Sequence, residues 1–370
     1  MLFEPLKVGN MELQHRVVLA PLTRVRNTET NEATDDQAVY YGQRASTPGS
    51  LLITEATPIS KEAGSYPRFP GIWTEKQAES WKKVTEAVHK ENSYIFQQIW
   101  AMGRKGRDPV ASVSASAITY DDGDGQGEST PHELSRAEIL EYVQKFANAA
   151  KRSVEIAGFD GVEIHGANGY LIEQFLRSAT NHRTDEYGGS AENRTLFARQ
   201  IVDAVVATVG DPKKVGIRLS PWTRAGGWGP TSSTLSEYAS LLSFLQENYP
   251  DLAYVSIIEP RVAHGHQTDD VSVPTISSMN INEWNSFVRL VWQGPMIRAG
   301  GLISHDHKDE GEALAATDPK LLIAYGRYYI ANPDLPYRLK NKLELTHYDR
   351  STFYTEGPKG YTDYAFAKKD

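Results

Sequence analysis

The feature that most constrains the fold of this 370-residue chain is a regular alternation of short apolar runs with amphipathic helical stretches. Eight runs rich in β-branched and aliphatic residues are interpreted as strands, at positions 17–19, 51–54, 94–99, 162–164, 215–219, 254–257, 296–298 and 321–324. Eight βα units in succession predict an α/β fold, a closed parallel (β/α)8 TIM barrel. An open doubly wound sheet is the main alternative, but no G-x-G-x-x-G follows the first run.

Helical patterns fill the intervals between these runs, at positions 75–90, 136–157, 191–209, 236–247, 281–292 and 333–343. Two of them begin with capping-box spacing, Thr74 followed by Gln77 and Ser135 followed by Glu138. We find no repeat or linker that would divide the chain, so residues 1–370 are expected to form a single domain. Positions 103–131 and 260–275 exceed ordinary βα loops and are expected to be insertions.

Charge and composition exclude several classes of protein. The net charge of −8 and the pI of about 5.7 argue against nucleic acid or an anionic membrane as the main partner. Cysteine is absent, which excludes disulfides, thiolate nucleophiles and iron–sulfur clusters. No apolar stretch is long enough to span a bilayer and no targeting signal is recognised, so a cytoplasmic location is expected. A monomer and a homodimer both remain open.

A polar cluster follows the fourth predicted strand. His165, Asn168 and Tyr170 lie within six residues, directly after the apolar run 161–164. The imidazole and the carboxamide can donate to one acceptor, and the phenol can act as a general acid. One such residue at a strand end is more often structural. Three of them at the end of a barrel strand favour a catalytic site.

The segments after the seventh and eighth predicted strands indicate a phosphate site. They provide Gly300 and Gly301, then Gly326 and Arg327. Glycine lets a phosphate approach the backbone N–H groups, and arginine adds a charge-assisted hydrogen bond. This pattern suits a phosphosugar enzyme as well as a flavin enzyme.

Many stretches, in the same order, resemble the old yellow enzyme family of FMN-dependent NAD(P)H ene-reductases. They lie at 15–24, 40–44, 51–55, 98–100, 165–176, 185–190, 192–194, 218–220, 295–300, 325–327, 332–335, 348–350 and 352–354. One branch of the family has cysteine at the position of Thr23. The threonine here is similar to the branch typified by yeast and plant members.

The resemblance implies that FMN lies across the barrel mouth. Pro21 and Leu22 would pack on its ring, Thr23 would donate to flavin O4, and the backbone of Ala56 would contact a polar edge. Gln98 would bind the pyrimidine edge and Arg218 would lie near N1 and C2=O, where a cation stabilises the reduced flavin. The phosphate would lie at Gly300, Gly301, Gly326 and Arg327.

The resemblance also implies the reaction. NADPH or NADH would reduce FMN in the first half of a ping-pong cycle. His165 and Asn168 would then hold the carbonyl oxygen of an α,β-unsaturated substrate while flavin N5 delivers hydride to the β-carbon. Tyr170 would protonate the α-carbon from the opposite face. Family members with phenylalanine at this position lack the proton donor and some are isomerases, so Tyr170 favours net reduction.

Aromatic residues are candidates for the walls or lid of the substrate pocket. They are Tyr66, Phe69, Trp100, Trp222, Trp228 and Tyr354. The loops at 224–229 and 264–266 depart from the family pattern, so the sequence does not identify the alkene. No metal site is predicted: the Asp- and Gly-rich segment 121–127 does not match an EF-hand, the His pair 264/266 has no clear third ligand nearby, and 305–307 resembles the polar start of a helix.

Other functions compete with a general ene-reductase. The chain could be a pathway-specific natural-product reductase or isomerase. It could also be a weakly catalytic flavin-binding sensor, although the complete set of His165, Asn168 and Tyr170 argues against this. A phosphosugar isomerase or aldolase would not explain Thr23, Gln98 and Arg218.

Overall fold

Eight parallel strands pair in chain order and close on themselves, which confirms the predicted (β/α)8 barrel. This computed structural model describes residues 1–64, 66–106, 112–119, 130–223, 229–260, 285–303 and 310–368. Pairing of the eighth strand with the first closes the ring. The strands are β1 Val17–Leu19, β2 Leu51–Ile53, β3 Tyr94–Trp100, β4 Gly161–Gly166, β5 Val215–Leu219, β6 Tyr254–Ile258, β7 Met296–Ala299 and β8 Leu321–Tyr325.

The barrel interior is filled by side chains that alternate along the strands with those facing the helices. One buried cluster joins residues of six strands: Val18, Leu51, Phe96, Tyr254, Ile297 and Leu322. The same cluster includes Val8, Met11 and Leu13 of an N-terminal hairpin, Leu6–Val8 paired with Met11–Leu13. Gly9 of this hairpin lies against Lys213 and Ala253, which precede β5 and β6. The hairpin therefore closes the N-terminal end of the barrel, and only the opposite end is available for a site.

Helices surround the barrel. They are α1 Asp35–Arg44, α2 Glu75–Lys90, α3 Arg136–Lys151, α4 Leu171–Leu176, α5 Ala191–Val209, α6 Thr234–Asn248, α7 Ser286–Val291, α8 Glu310–Ala315, α9 Arg327–Ala331 and α10 Leu335–Lys340. Both predicted capping boxes are present, at Thr74 and at Ser135. The pattern 136–157 continues past α3 because a π-helical segment, Arg152–Ile156, follows it directly. None of the helices in the described ranges is long and apolar enough to cross a membrane.

Some sequence interpretations differ from the structure or fall outside its described part. Helix α10 begins at Leu335 rather than at position 333 and ends at Lys340. Sequence analysis identified neither α1 nor the N-terminal hairpin, whose strands are only three residues long. The segments 121–127, 224–228 with Trp228, 264–266 and 305–307, and the start of the pattern 281–292, lie outside the described residues. That residues 1–370 form one domain stays a prediction.

Candidate active site

The first and last strands bring three predicted cofactor residues to the open end of the barrel. The Ala20 N–H donates to the Tyr325 carbonyl at 3.0 Å, which fixes the loop after β1 beside the end of β8. Pro21, Leu22 and Thr23 follow in this loop and are half-buried. A methyl group added to Gly326 would lie 3.1 Å from a Leu22 methyl carbon, so Leu22 packs directly over that glycine.

A buried carboxylate holds the β1 loop and, through it, the C-terminal segment. The Arg24 N–H donates to Glu55 Oε2 at 3.1 Å, and Gln37 Nε2 donates to Oε1 at 2.9 Å. The Arg24 guanidinium donates to the carbonyls of Phe353 (3.1 Å) and Gly360 (2.8 Å). Tyr354, which is next to Phe353, is thereby placed at the open end of the barrel. Sequence analysis assigned no role to Glu55 or Arg24, although both lie in the matching stretches.

A second buried cluster lies among the ends of β3, β4 and β5. Strand register places Gln98 beside Glu163 and His165 beside Arg218. Gln98 Nε2 donates to Glu163 Oε1 at 2.6 Å. Burial raises the pKa of Glu163, opposed by the Arg218 charge, and burial lowers the pKa of Arg218, opposed by Glu163. Arg218 Nε is buried and has no hydrogen-bond partner among the described residues, so this cluster retains a donor for a bound polar group.

The four residues predicted to bind phosphate lie on adjacent loops, because β7 and β8 are neighbours. Gly300 and Gly301 both have positive φ, 127° and 62°, a conformation that favours glycine. Arg327 begins α9 directly after Gly326, and its guanidinium lies 5.3 Å from the centre of the Tyr348 ring. The structure thus brings two glycine-containing loops, whose backbone a phosphate can approach closely, and the Arg327 cation to the same side of the opening.

Two of the predicted catalytic residues, Asn168 and Tyr170, lie on one tight turn directly after β4, and the third, His165, lies near the end of that strand. Asn168 and Gly169 have φ values of 60° and 76°, the positive pair of a type I′ turn, for which Asn-Gly is a favoured sequence. The Tyr170 N–H closes this turn by donating to the Ala167 carbonyl at 3.2 Å. The Asn-Gly pair therefore lets the chain reverse immediately after β4 and bring Tyr170 back over His165, with ring centres 5.1 Å apart.

Local hydrogen bonds set the donor groups of this turn. His165 Nδ1 accepts the Ala167 N–H at 3.3 Å, which fixes Nε2 as the nitrogen that carries the proton. The Asn168 carboxamide has a buried Oδ1, an acceptor, with no hydrogen-bond partner among the described residues, and its Nδ2 is the group that can donate to a ligand. A buried amide without its partner is characteristic of a site that binds a polar ligand.

Aromatic side chains line the site beside these donors. Trp100 packs edge-on against Tyr170, with ring centres 4.8 Å apart, and stacks with His165 at 6.3 Å. Phe69 stacks on Trp100, and Tyr66 packs against Phe69. Trp100 also packs with Ala56, another predicted cofactor contact. Trp222 differs from the other candidates: it donates to Asn285 and packs against Phe287 at the start of α7.

Tyr170 is held in its protonated form by its surroundings. Burial, with smaller electrostatic contributions from the phenols of Tyr354 and Tyr66, raises the pKa of this phenol to about 12. Tyr66 packs in the same apolar cluster as Tyr170, and Tyr354 lies within range of an electrostatic interaction with it. The hydroxyl therefore keeps its proton across the physiological pH range.

These features fit FMN. A flat ring needs the half-buried apolar surface of Pro21 and Leu22, and its polar edge needs donors such as the unpaired Arg218 Nε. Its phosphate needs close backbone approach and a cation, which Gly301 and Arg327 offer. Asn168 lies two residues beyond the end of β4. Because His165 of β4 pairs in register with Arg218 of β5, the turn at Asn168 lies farther toward the open end of the barrel than Arg218.

Comparisons with known proteins agree with this geometry. Residues 1–346 match the model of the NADH:flavin oxidoreductase / NADH oxidase family. The chain is 43% identical to 12-oxophytodienoate reductase 1 of Oryza sativa subsp. japonica, covering all of this chain and 93% of the relative. It is 41% identical to chanoclavine-I aldehyde reductase fgaOx3 of Penicillium roqueforti, covering 99% of this chain and 96% of the relative.

Among solved structures, the old yellow enzyme of Pichia sp. AKU4542 superimposes with a TM-score of 0.87 at 35% identity, covering all of this chain and 94% of the other. The family and the fold therefore agree with those expected from the sequence. So do the cofactors, which are FMN and a nicotinamide reductant. The chain belongs to the NADH:flavin oxidoreductase / NADH oxidase family and, within it, to the FMN-dependent oxidoreductases of the old yellow enzyme group.

Proposed function

We propose that this oxidoreductase reduces the C=C bond of α,β-unsaturated carbonyl compounds with electrons from NAD(P)H. The observation that carries the proposal is the end of β4 with the turn that follows it, where a fixed imidazole N–H, the Asn168 carboxamide and a protonated phenol lie together. These groups suit a substrate that has a carbonyl oxygen to bind and a carbon to protonate.

The residues that would hold FMN follow from their positions. Pro21, Leu22, Thr23 and the backbone of Ala56 lie at the ends of β1 and β2, and Gln98 and Arg218 lie across the opening. Gly300, Gly301, Gly326 and Arg327 would bind the phosphate. Bound FMN supplies the hydride for the β-carbon and is restored by NAD(P)H in a ping-pong cycle.

His165 Nε2–H and the Asn168 amide would donate to the substrate carbonyl. Negative charge grows on that oxygen as the β-carbon is reduced, so both donors stabilise the transition state more than the ground state. Loss of one such donor typically costs about 3–4 kcal/mol in the barrel mouth, where water is excluded.

Tyr170 would deliver the proton to the α-carbon. Its pKa of about 12 keeps the phenol protonated at neutral pH. Trp100 and Phe69 pack behind it and would confine the alkene beside its hydroxyl, with Tyr66 and Tyr354 at the rim. These four aromatic side chains are the residues we propose for substrate selection.

An anaerobic titration tests the proposal. The purified yellow protein is reduced with NADPH, then with NADH in a parallel sample, and cyclohexenone is added once the flavin absorbance is bleached. We expect bleaching by the nicotinamide and recovery with the enone. Bleaching without recovery would support a substrate-restricted enzyme or a sensor, and a colourless protein would refute the cofactor assignment.

A further inference from the structure

Glu173 is fully buried beside the turn formed by Asn168 and Gly169, and the proposed reaction does not use its carboxylate. Its Oε2 accepts the Gly169 N–H at 2.6 Å, and the Ser220 hydroxyl donates to its two oxygens at 3.0 and 2.9 Å. The Tyr238 hydroxyl donates to Oε1, and the Arg177 guanidinium lies 3.5 Å from the same oxygen. Donors from the turn, from Ser220 after β5 and from α6 therefore converge on one carboxylate, with the Arg177 charge beside it.

The groups held by this carboxylate are those of the turn itself. The Asn168 N–H donates to Ser220 Oγ at 2.8 Å, and Ser220 donates in turn to Glu173. Gln174 Nε2 holds the other side of the turn by donating to the Gly169 carbonyl at 2.9 Å. The Gly169 N–H thus donates directly to Glu173, and the Asn168 N–H is connected to it through the Ser220 hydroxyl.

Asparagine takes a φ near 60° more readily than other residues with a Cβ, so the sequence permits the turn, and the hydrogen bonds to Ser220 and Glu173 fix its position against the strand ends. The same backbone conformation sets where the Asn168 carboxamide points. If the turn relaxed, the carboxamide would move away from His165 while the strands below stayed in place.

We propose that Glu173 is a positioning residue of the carbonyl site, which holds the Asn168–Gly169 turn so that the Asn168 carboxamide and His165 Nε2–H meet on one oxygen. The inference rests on the proposed function, because Glu173 would orient hydrogen-bond donors that act in that reaction. A displacement of about 1 Å in such a donor can slow a reaction on the order of 10²-fold.

Two substitutions of Glu173 separate hydrogen bonding from charge. Glu173→Leu removes both acceptor oxygens at similar volume, whereas Glu173→Gln keeps one oxygen that can still accept the Gly169 N–H. Glu237→Leu is the matched control. Glu237 is equally buried, and its partners in the described part of the chain are Arg194 (3.0 Å), the Ser178 N–H (3.0 Å) and the Ser233 hydroxyl (2.7 Å).

Each holoenzyme is measured in four ways: the Kd of para-chlorophenol from its long-wavelength charge-transfer absorption with the flavin, the rate of enone reduction, the flavin midpoint potential, and Tm. We expect Glu173→Leu to weaken phenol binding and to slow enone reduction by about 10–100-fold at an unchanged midpoint potential. Glu173→Gln should recover much of the binding. Glu237→Leu should lower Tm without weakening phenol binding, and His165→Ala, which removes a donor itself, is the positive control.

Three results would overturn the inference: unchanged phenol binding in Glu173→Leu, equal losses in Glu173→Leu and Glu237→Leu, or equal losses in Glu173→Leu and Glu173→Gln. If Glu173→Leu does not fold, Ser220→Ala removes only the acceptor of the Asn168 N–H and should weaken phenol binding in the same direction. Unchanged binding in that variant would also overturn it. A wild-type protein that binds no flavin or no phenol would instead refute the proposed function, and this inference with it.

Discussion

Replacing Tyr170 by phenylalanine tests the proton-donor role directly, because only a hydroxyl group is lost. The Tyr170 ring packs against Trp100 and His165, with centres 4.8 and 5.1 Å away, and a phenylalanine ring can keep both contacts. The shape of the site and the position of the carbonyl donors should therefore persist. A change in rate would then report the hydroxyl group rather than the packing.

The size of the effect follows from the chemistry and the pKa. A positioned general acid contributes about 10²–10⁴ in rate, so Tyr170→Phe should raise the barrier of the alkene step by about 3–5 kcal/mol. With a pKa of about 12, only about 0.1% of Tyr170 is ionised at pH 9, whereas a phenol of pKa near 10 would be about 10% ionised. The wild-type alkene step should consequently show no loss from Tyr170 ionisation between pH 6 and about pH 10.

Stopped-flow absorbance without oxygen measures the two half-reactions separately. Reduction of the flavin by NADPH should be nearly unchanged in Tyr170→Phe, since no proton from Tyr170 is needed in that step. Reoxidation by cyclohexenone should be slow and should increase with the concentration of buffer acid, which replaces the missing donor.

Equal reoxidation rates in the wild type and in Tyr170→Phe would refute the proton-donor role. A wild-type rate that falls with a midpoint near pH 10 would contradict the raised pKa and the burial that causes it.

Four further predictions concern the cofactor and stability. Arg218→Met should lower the flavin midpoint potential by on the order of 50 mV, about 2 kcal/mol for two electrons, because the reduced flavin loses a cation; an unchanged potential would exclude this role. Burial lowers the pKa of His15 from 6.5 to about 4, so its contribution to stability is present above pH 6.5 and is lost as the pH falls toward 4. Urea unfolding should show about 2 kcal/mol less stability at pH 5 than at pH 7, relative to His15→Gln, and equal pH slopes would contradict this. Gly161→Ala should cost about 1–3 kcal/mol, since the added carbon would lie 2.2 Å from the Lys214 carbonyl oxygen. In Gly42→Ala, by contrast, the nearest atom is at 3.4 Å in a helix, and thermal unfolding should show a gain of up to about 1 kcal/mol.

The sequence was sufficient for the fold because its signals are local. All eight strand positions were predicted to within two residues at each end, since each is a short apolar run between helical patterns. The capping boxes at Thr74 and Ser135 need only four consecutive residues to be recognised. Parallel strands joined by helices then leave few arrangements besides a barrel or an open sheet.

The location of the site was also predictable, because the ends of parallel strands meet at one face. His165, Asn168 and Tyr170 are close in sequence, and the Asn-Gly pair itself specifies a tight turn. The position of Tyr354 near Tyr170 could not be predicted from the local sequence. It depends on Arg24, which binds carbonyls more than 300 positions later in the chain.

By itself, the sequence determined the barrel, the face that bears the site and the residue types available for its chemistry, because these depend on periodicity and on short motifs. Only the tertiary structure decided which buried carboxylates hold the site residues in place: Glu55 beneath the β1 loop, Glu163 beside Gln98, and Glu173 behind the Asn168 turn. Each of these carboxylates has a partner on a distant element, Gln37 for Glu55, Gln98 for Glu163 and Ser220 for Glu173, so the distances depend on strand register and helix packing. A buried charge is stable only where that packing supplies its donors, and no local pattern of residues records this.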